Sequence, residues 1–405
     1  MYNLKDSNVK WLGNIPNSWR VLRLKNVLKE RKENNNPIKT DNILSLTNDK
    51  GVIPYSERGN SGNKAKDDLS SYKLAYPNDI VMNSMNVIIG SVGLSKYFGC
   101  VSPVYYMLCC NNENCIRYYN YIFQSNVFQN DLKGLGNGIL EIRMRIPMDK
   151  LNNVLLPVPP LVEQIKIADF LDDKIMEIDN AINKTKETIE DYKKYKQSLI
   201  IKVVTKGIEK KDGYVDSQIN WIGKYPRNWI KTKLKNFCDL NNGKEIYQEI
   251  NSNNENVVDV FGSGGVFKYT NEYLYDGESV LFGRKGTLGK PLYINQKFWT
   301  VDTMYYLTFD NYKIIPKFCY YQLCSFDWQP YITQTALPSI VGSIIMNCDF
   351  VFPSLKEQKE IVEYLDSKCN EIDQLIKNKE KIVEELENYK KSVIYEYVTG
   401  KKEVK

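Results

Sequence analysis

The chain has 405 residues, 42% of them hydrophobic and 26% charged, with a formal net charge of +6 and no histidine. That length suffices for two domains with separate cores, and no apolar run reaches the roughly 18 residues that span a bilayer, nor does the polar start resemble a signal peptide, so a cytoplasmic chain without membrane contact is expected. Lack of histidine removes the usual general base and the commonest transition-metal ligand.

The first element is a phrase that returns. GNIPNSWRVLRLKNV (13–27) is answered 210 positions later by GKYPRNWIKTKLKNF (223–237), keeping Trp11/Trp221, Gly13/Gly223, Pro16/Pro226, Trp19/Trp229 and the Leu-Lys-Asn at 24–26 and 234–236 in step. The segment that follows the first phrase reads as mixed α/β with several short strands. Within 79–109 the pattern predicts a strand, the polar loop NSMNV, a G-x-x-G at Gly90 and Gly93, and a strand ending in Tyr-Tyr. Residues 1–160 carry 20 basic against 13 acidic side chains and the remainder is close to neutral, which suits a polyanion at the first domain.

A long helix comes next, over 157–207. Pro157, Pro159 and Pro160 stand where a helix start tolerates proline, and Gly207 follows its end. Its heptad seam runs through Ala168, Leu171, Ile175, Ile178, Ile182, Ile189, Leu199 and Val203. The stretch returns at an offset of 194, without a gap, between Pro353 and Thr399, and Gly400 follows it. There the seam holds Val362, Leu365, Ile372, Ile376, Val383, Leu386 and Val393. Polar interruptions match between copies, Thr185 with Lys379 and Lys196 with Lys390, as expected of residues that set register or face a third chain. Two seams of equal length are best explained by packing on one another. Some 40 residues rising about 1.5 Å each make a rod of roughly 60 Å. Antiparallel pairing, favoured by the short connection after Thr205, would place a globular domain at each end about a pseudo-twofold axis.

Between the two helices, residues 278–309 repeat the layout of the first variable segment with other loop chemistry. FGRKG stands where the first copy has NSMNV, and the second G-x-x-G is Gly286/Gly289. Arg284 and Lys285 suit phosphate or guanine, while Asn83, Ser84 and Asn86 offer neutral donors and acceptors for base edges. Further polar and basic loop residues complete the candidate DNA contacts: Lys64, Lys66, Asn137 and Arg143 in the first segment, and Lys244, Ser263, Lys268, Thr287, Gln334 and Ser339 in the second. FGSGG (261–265) reads as a flexible loop.

Catalytic signatures are missing. Adenine methylation calls for an F-x-G-x-G cofactor loop and an [NDS]-P-P-[YFW] turn; Val158-Pro159-Pro160-Leu161 has the prolines without the flanks and reads as a helix start. GRKGTLGKP (283–291) fits no phosphate-loop register. The nine cysteines (Cys100, Cys109, Cys110, Cys115, Cys238, Cys319, Cys324, Cys348 and Cys369) form no C-x-x-C pair, so neither a zinc ribbon nor a disulfide framework is encoded and reduced thiols are expected.

The duplicated order of W-[LI]-G-x-[IY]-P-x-x-W, a variable segment, then P-x-L-x-E-Q-x-x-I-x-x-[FY]-L-D resembles the specificity subunit of type I restriction-modification systems over nearly the whole chain. Its most specific residues are Pro160, Leu161, Glu163 and Gln164, answered by Pro353, Leu355, Glu357 and Gln358. Departures are small: Pro353 lacks a preceding proline, and ALPSIVGS lacks the glycine spacing of GLGNGILE. The resemblance implies an α+β chain: a target recognition domain over 1–156, a spacer helix over 157–207, a second recognition domain over 208–352 and a second spacer helix over 353–405. It also implies that each domain reads one half of an asymmetric, interrupted site on double-stranded DNA, that the paired helices act as ruler and dock two methyltransferase subunits, and that restriction subunits join the full complex. The chain itself would be non-catalytic and cofactor-free, with S-adenosylmethionine on the methyltransferase partners. Two alternatives compete: a coiled-coil adaptor whose domains bind proteins, and a nuclease in a variable segment, for which no carboxylate cluster is identifiable.

Overall fold

A computed structural model describes residues 3–47, 50–59, 65, 68–85, 90–111, 113–136, 145–253, 257–310, 313–335 and 337–404. The chain divides into two compact units. One comprises Met1–Thr185 with Lys381–Lys405, the other Lys186–Glu380.

The repeated phrase makes the same small structure in both units. Asn14–Pro16 pairs antiparallel with Leu4–Asp6, and Lys224–Pro226 with Tyr214–Asp216. The turn between each pair is closed by Ser7 N–H on Gly13 O and by Ser217 N–H on Gly223 O. Gly13 and Gly223 sit at φ +59° and +61°, a region that strains any residue with a Cβ, which explains why the phrase keeps glycine there. The strand Arg20–Arg23 then pairs with Leu155–Val158, and Ile230–Lys233 with Asp349–Phe352. The start of each variable segment is thereby tied to its end.

In the first unit a four-stranded sheet runs in the order Leu28–Arg31, Tyr105–Cys110, Ile80–Asn83, Val92–Leu94. Trp19, Tyr118, Tyr119, Phe123 and Phe128 are fully buried in this unit. In the second unit six strands run in the order Cys238–Asn242, Met304–Phe309, Tyr275–Gly283, Leu292–Thr300, Val258–Gly262, Gly265–Thr270. Three details differ from the expectation. Tyr105-Tyr106 and Tyr305-Tyr306 lie at the beginning of their strands, because the chain turns before the tyrosine pair. FGSGG is a tight hairpin turn with Gly262 paired to Gly265, since two glycines allow the reversal that a longer loop would otherwise make. The two G-x-x-G stretches also diverge: Gly93 lies inside the strand Val92–Leu94, whereas Gly286 and Gly289 stay in a loop.

The long helices are Leu161–Lys206 and Leu355–Val398, 46 and 44 residues. Gly207 and Gly400 follow them at φ +82° and +68° and end them. In the first unit Phe170 packs on Tyr397 at 4.3 Å and Asp179 accepts from Lys390 at 2.6 Å, so residues advance along one helix as they retreat along the other. In the second unit Lys196 donates to Asp373 at 2.6 Å while Lys211, just past the helix end, reaches Glu357 at 2.8 Å. Pairing is therefore antiparallel in each unit. Leu171, Ile175, Ile178, Ile182, Ile189, Leu365, Ile372, Val383 and Val393 are buried, and Leu199, Ile376 and Leu386 are half-buried. Two of the three lysines that interrupt the seam, Lys196 and Lys390, cross to a facing aspartate. Such half-exposed pairs contribute about 0.2–1 kcal/mol each, so they select a register more than they stabilise it.

The glutamine of the helix-start motif clasps each variable domain. Gln164 Oε1 accepts from Cys115 N–H at 2.8 Å and its Nε2 donates to Pro159 O; Gln358 Oε1 accepts from Ile315 N–H at 2.9 Å and its Nε2 donates to Pro353 O. Cys115 and Ile315 precede the helices Ile116–Gln124 and Pro316–Ser325, whose first N–H groups need such partners. Two helical turns further, Asp172 accepts from Tyr121 and Arg117, and Asp366 from Tyr321 and Lys317. Burial, then the aspartate, pushes both phenols far above their usual range, so each remains a donor. Gln358→Leu should orphan two buried backbone groups at about 1–3 kcal/mol each. We expect urea unfolding of the second unit to lose about 2–6 kcal/mol and its midpoint to fall; an unchanged midpoint would remove Gln358 from the frame.

Candidate nucleic-acid interface

The second unit gathers most of its nominated residues at neighbouring loops. Gly283 ends its strand, and a Cβ there would fall 2.2 Å from Thr287 O, so only glycine lets the 283–287 loop close. Arg284 and Lys285 follow. Both backbone N–H groups donate to Thr303 O, while Arg284 O accepts from Ile340 N–H and Lys285 bridges Ser339. Ser339 Oγ lies 3.0 Å from Thr333 Oγ1, which holds the 333–339 loop alongside. The half-buried Arg284 guanidinium lies 5.8 Å from the Tyr305 ring centre, an arrangement that steadies the cation without consuming its donors. Lys285, Thr287 and Gln334 are exposed around it.

Lys244 joins this group through the turn after Thr300. Its N–H donates to Thr300 O, and its carbonyl accepts from Trp299 Nε1 at 2.8 Å, leaving the ammonium exposed. Ser263 and Lys268 do not join it. They belong to the hairpin at one edge of the six-stranded sheet, where Lys268 is already paired with Glu249 at 2.7 Å.

In the first unit two candidates need correction. Ser84 is fully buried, with its hydroxyl donating to Val104 O and its carbonyl accepting from Ile146 N–H, and Asn83 is buried with its Oδ1 accepting from Met85 N–H. Both serve the turn after the strand and present nothing to a base edge. Lys64, Lys66, Asn86, Asn137 and Arg143 lie outside the described residues. Two residues of the second unit escaped the sequence reading: Tyr305, which reads as an ordinary strand residue, and Tyr247, whose only signal is a ring inside the polar run KEIYQE.

Thiolate chemistry is disfavoured at Cys110 and Cys324. Burial pushes the Cys110 thiol up to about 11 and that of Cys324 up to about 12, so both are protonated near neutral pH. Among the described residues no group of three His, Cys, Asp or Glu is placed to hold a metal ion, and no helix is long and apolar enough to cross a membrane.

The family model described as "Type I restriction modification DNA specificity domain" matches residues 16–191 and 226–388. Two relatives from Methanocaldococcus jannaschii align end to end. The type I restriction enzyme MjaVIII specificity subunit is 28% identical, over 99% of this chain and 97% of its own; the putative MjaX specificity subunit is 26% identical, over 99% and 98%. Among solved structures, a chain from a study of complex assembly and conformational transition of the type I R-M system superposes with a TM-score of 0.74 at 14% identity, covering 95% of this chain and 98% of that one. The HsdS subunit of Thermoanaerobacter tengcongensis gives 0.52 at 16% identity, with coverage of 95% and 98%. These two likenesses concern the fold. With both copies of the repeated frame matched by the family model, the chain belongs to the type I restriction-modification DNA specificity family and is a specificity subunit, the non-catalytic component of such a system.

Proposed function

We propose that this subunit reads an asymmetric bipartite site on double-stranded DNA, each variable domain recognising one half. The observation that carries this reading is the contrast between a frame whose strand pairings and glutamine bonds repeat and loops that share no chemistry. The second unit groups Arg284, Lys285, Thr287, Gln334 and Ser339, whereas the corresponding turn of the first unit buries Asn83 and Ser84. Unlike loops on a common mount suit unlike half-sites. The paired helices set the spacer and dock two methyltransferase subunits, which carry S-adenosylmethionine; restriction subunits complete the assembly, in the cytoplasm. Each helix is about 65–70 Å long, a little under two turns of duplex.

Sequencing N6-methyladenine in cells that carry this chain with its methyltransferase should reveal one interrupted, non-palindromic motif. Methylation at continuous or unrelated sequences would sink the reading. Reversing charge at the exposed Lys285 should weaken DNA binding of the assembled complex for all sequences and reduce the salt slope by about 1, as expected of a phosphate contact. Arg284→Glu should instead cost about 1–3 kcal/mol and relax one motif position, the signature of a guanine contact. Salt-insensitive binding would point to a protein adaptor.

A further inference from the structure

Tyr247 is 83% exposed, more than any other large hydrophobic side chain among the described residues. Nothing in its loop requires that. The segment is fixed at both ends: Gly243 N–H donates to Met304 O and Lys244 N–H to Thr300 O on one side, and Ile250 N–H donates to Tyr269 O on the other. Gly243 itself presses so closely on the turn that a Cβ would meet Val301 O at 2.0 Å. Tyr247 therefore stands on a short span anchored at its two feet, with its ring edge-on to the buried Trp299 at 6.2 Å. A tyrosine on an anchored span has only two side-chain torsions to fix on contact, a small entropy cost for a large contact area.

Its surroundings narrow the partner. Lys244, Glu245 and Gln248 beside it are exposed and polar, unlike the charge-depleted centre of a protein interface. The anchoring turn, Thr300 to Thr303, is the same one whose Thr303 carbonyl holds Arg284 and Lys285. A lone exposed ring close to Lys244, on the turn that also holds Arg284 and Lys285, matches the way proteins stack on or wedge between bases. We propose that Tyr247 is a specificity-determining residue of the second domain, packing its ring against a base step of that domain's half-site and unstacking it. The second half-site is then read partly through how readily that step opens, alongside the polar contacts of Arg284 and Lys285.

This inference rests on the DNA-reading role proposed above. The test uses the chain assembled with its methyltransferase subunits and duplexes carrying the motif found by methylome sequencing, with 2-aminopurine placed in turn at each position of the second half-site. Wild-type complex should raise the fluorescence at one step. Tyr247→Ala should abolish the rise and weaken binding by roughly 5- to 100-fold, while Tyr247→Phe should preserve both. Because the side chain is exposed, thermal melts of the variants should match wild type. Equal fluorescence and affinity within twofold for Tyr247→Ala would overturn the proposal, as would loss in Tyr247→Phe equal to that in Tyr247→Ala, which would credit the hydroxyl. If the wild-type complex yields no bipartite motif at all, the DNA-reading role fails first, a result separate from an intact motif that ignores Tyr247.

Discussion

Exchanging residues 238–346 for the corresponding segment of another specificity subunit is expected to rewrite one half of the methylated motif and leave the other half and the spacer unchanged. The borders follow from the hydrogen bonding. The ladder of Ile230–Lys233 with Asp349–Phe352 stays outside the exchanged segment, as do Gln358 and Asp366 that hold the domain on its helix. The incoming domain needs a backbone N–H where Ile315 now supplies one and a tyrosine where Tyr321 stands. Each mismatched base pair costs about 1–3 kcal/mol, so a half-site altered at only two positions should lose roughly 30-fold or more on the original DNA. Methylome sequencing of the chimera reads the outcome directly. Change in both halves would mean that the domains do not read independently.

The second large effect concerns distance. One heptad inserted into each long helix adds about 10.5 Å, close to three base pairs at about 3.4 Å each. Placed between Asp179 and Lys196 and between Asp373 and Lys390, the insertions leave both interhelical ion pairs intact. Three base pairs also turn the duplex by about 100°, so a single heptad should abolish methylation of the original motif and support the lengthened one poorly. Three heptads, about 31 Å, approach one full turn, and methylation should return with a spacer about nine base pairs longer. An unchanged spacer in either variant would rule out the helices as the ruler.

What could be read in advance tracks how locally each feature is encoded. The helices were legible because a seam at 3.5-residue spacing, prolines before and glycines after are all local signals. The frame was legible because it is written twice. The role of Gln164 and Gln358 was not, although both stood in the motif, because their partners Cys115 and Ile315 sit in variable sequence and contribute only backbone. Loop exposure was least legible. Ser84 looked like a surface residue beside asparagines, but closure of Ile146 N–H onto its carbonyl, far along the chain, buries it. Arg284 stayed accessible because Tyr305 supports it from a neighbouring strand. A hydrophobic pattern counts neighbours in sequence; these outcomes depend on neighbours across the sheet.

The glutamine clasp grips main chain, and that has an evolutionary corollary. A holder that asks for an amide, a helix start and one tyrosine imposes little spelling on what it holds. Genetic recombination can therefore drop a foreign reading surface onto this mount in a single event, without compensating change in the holder, and a lineage can acquire a new target sequence while keeping its old architecture.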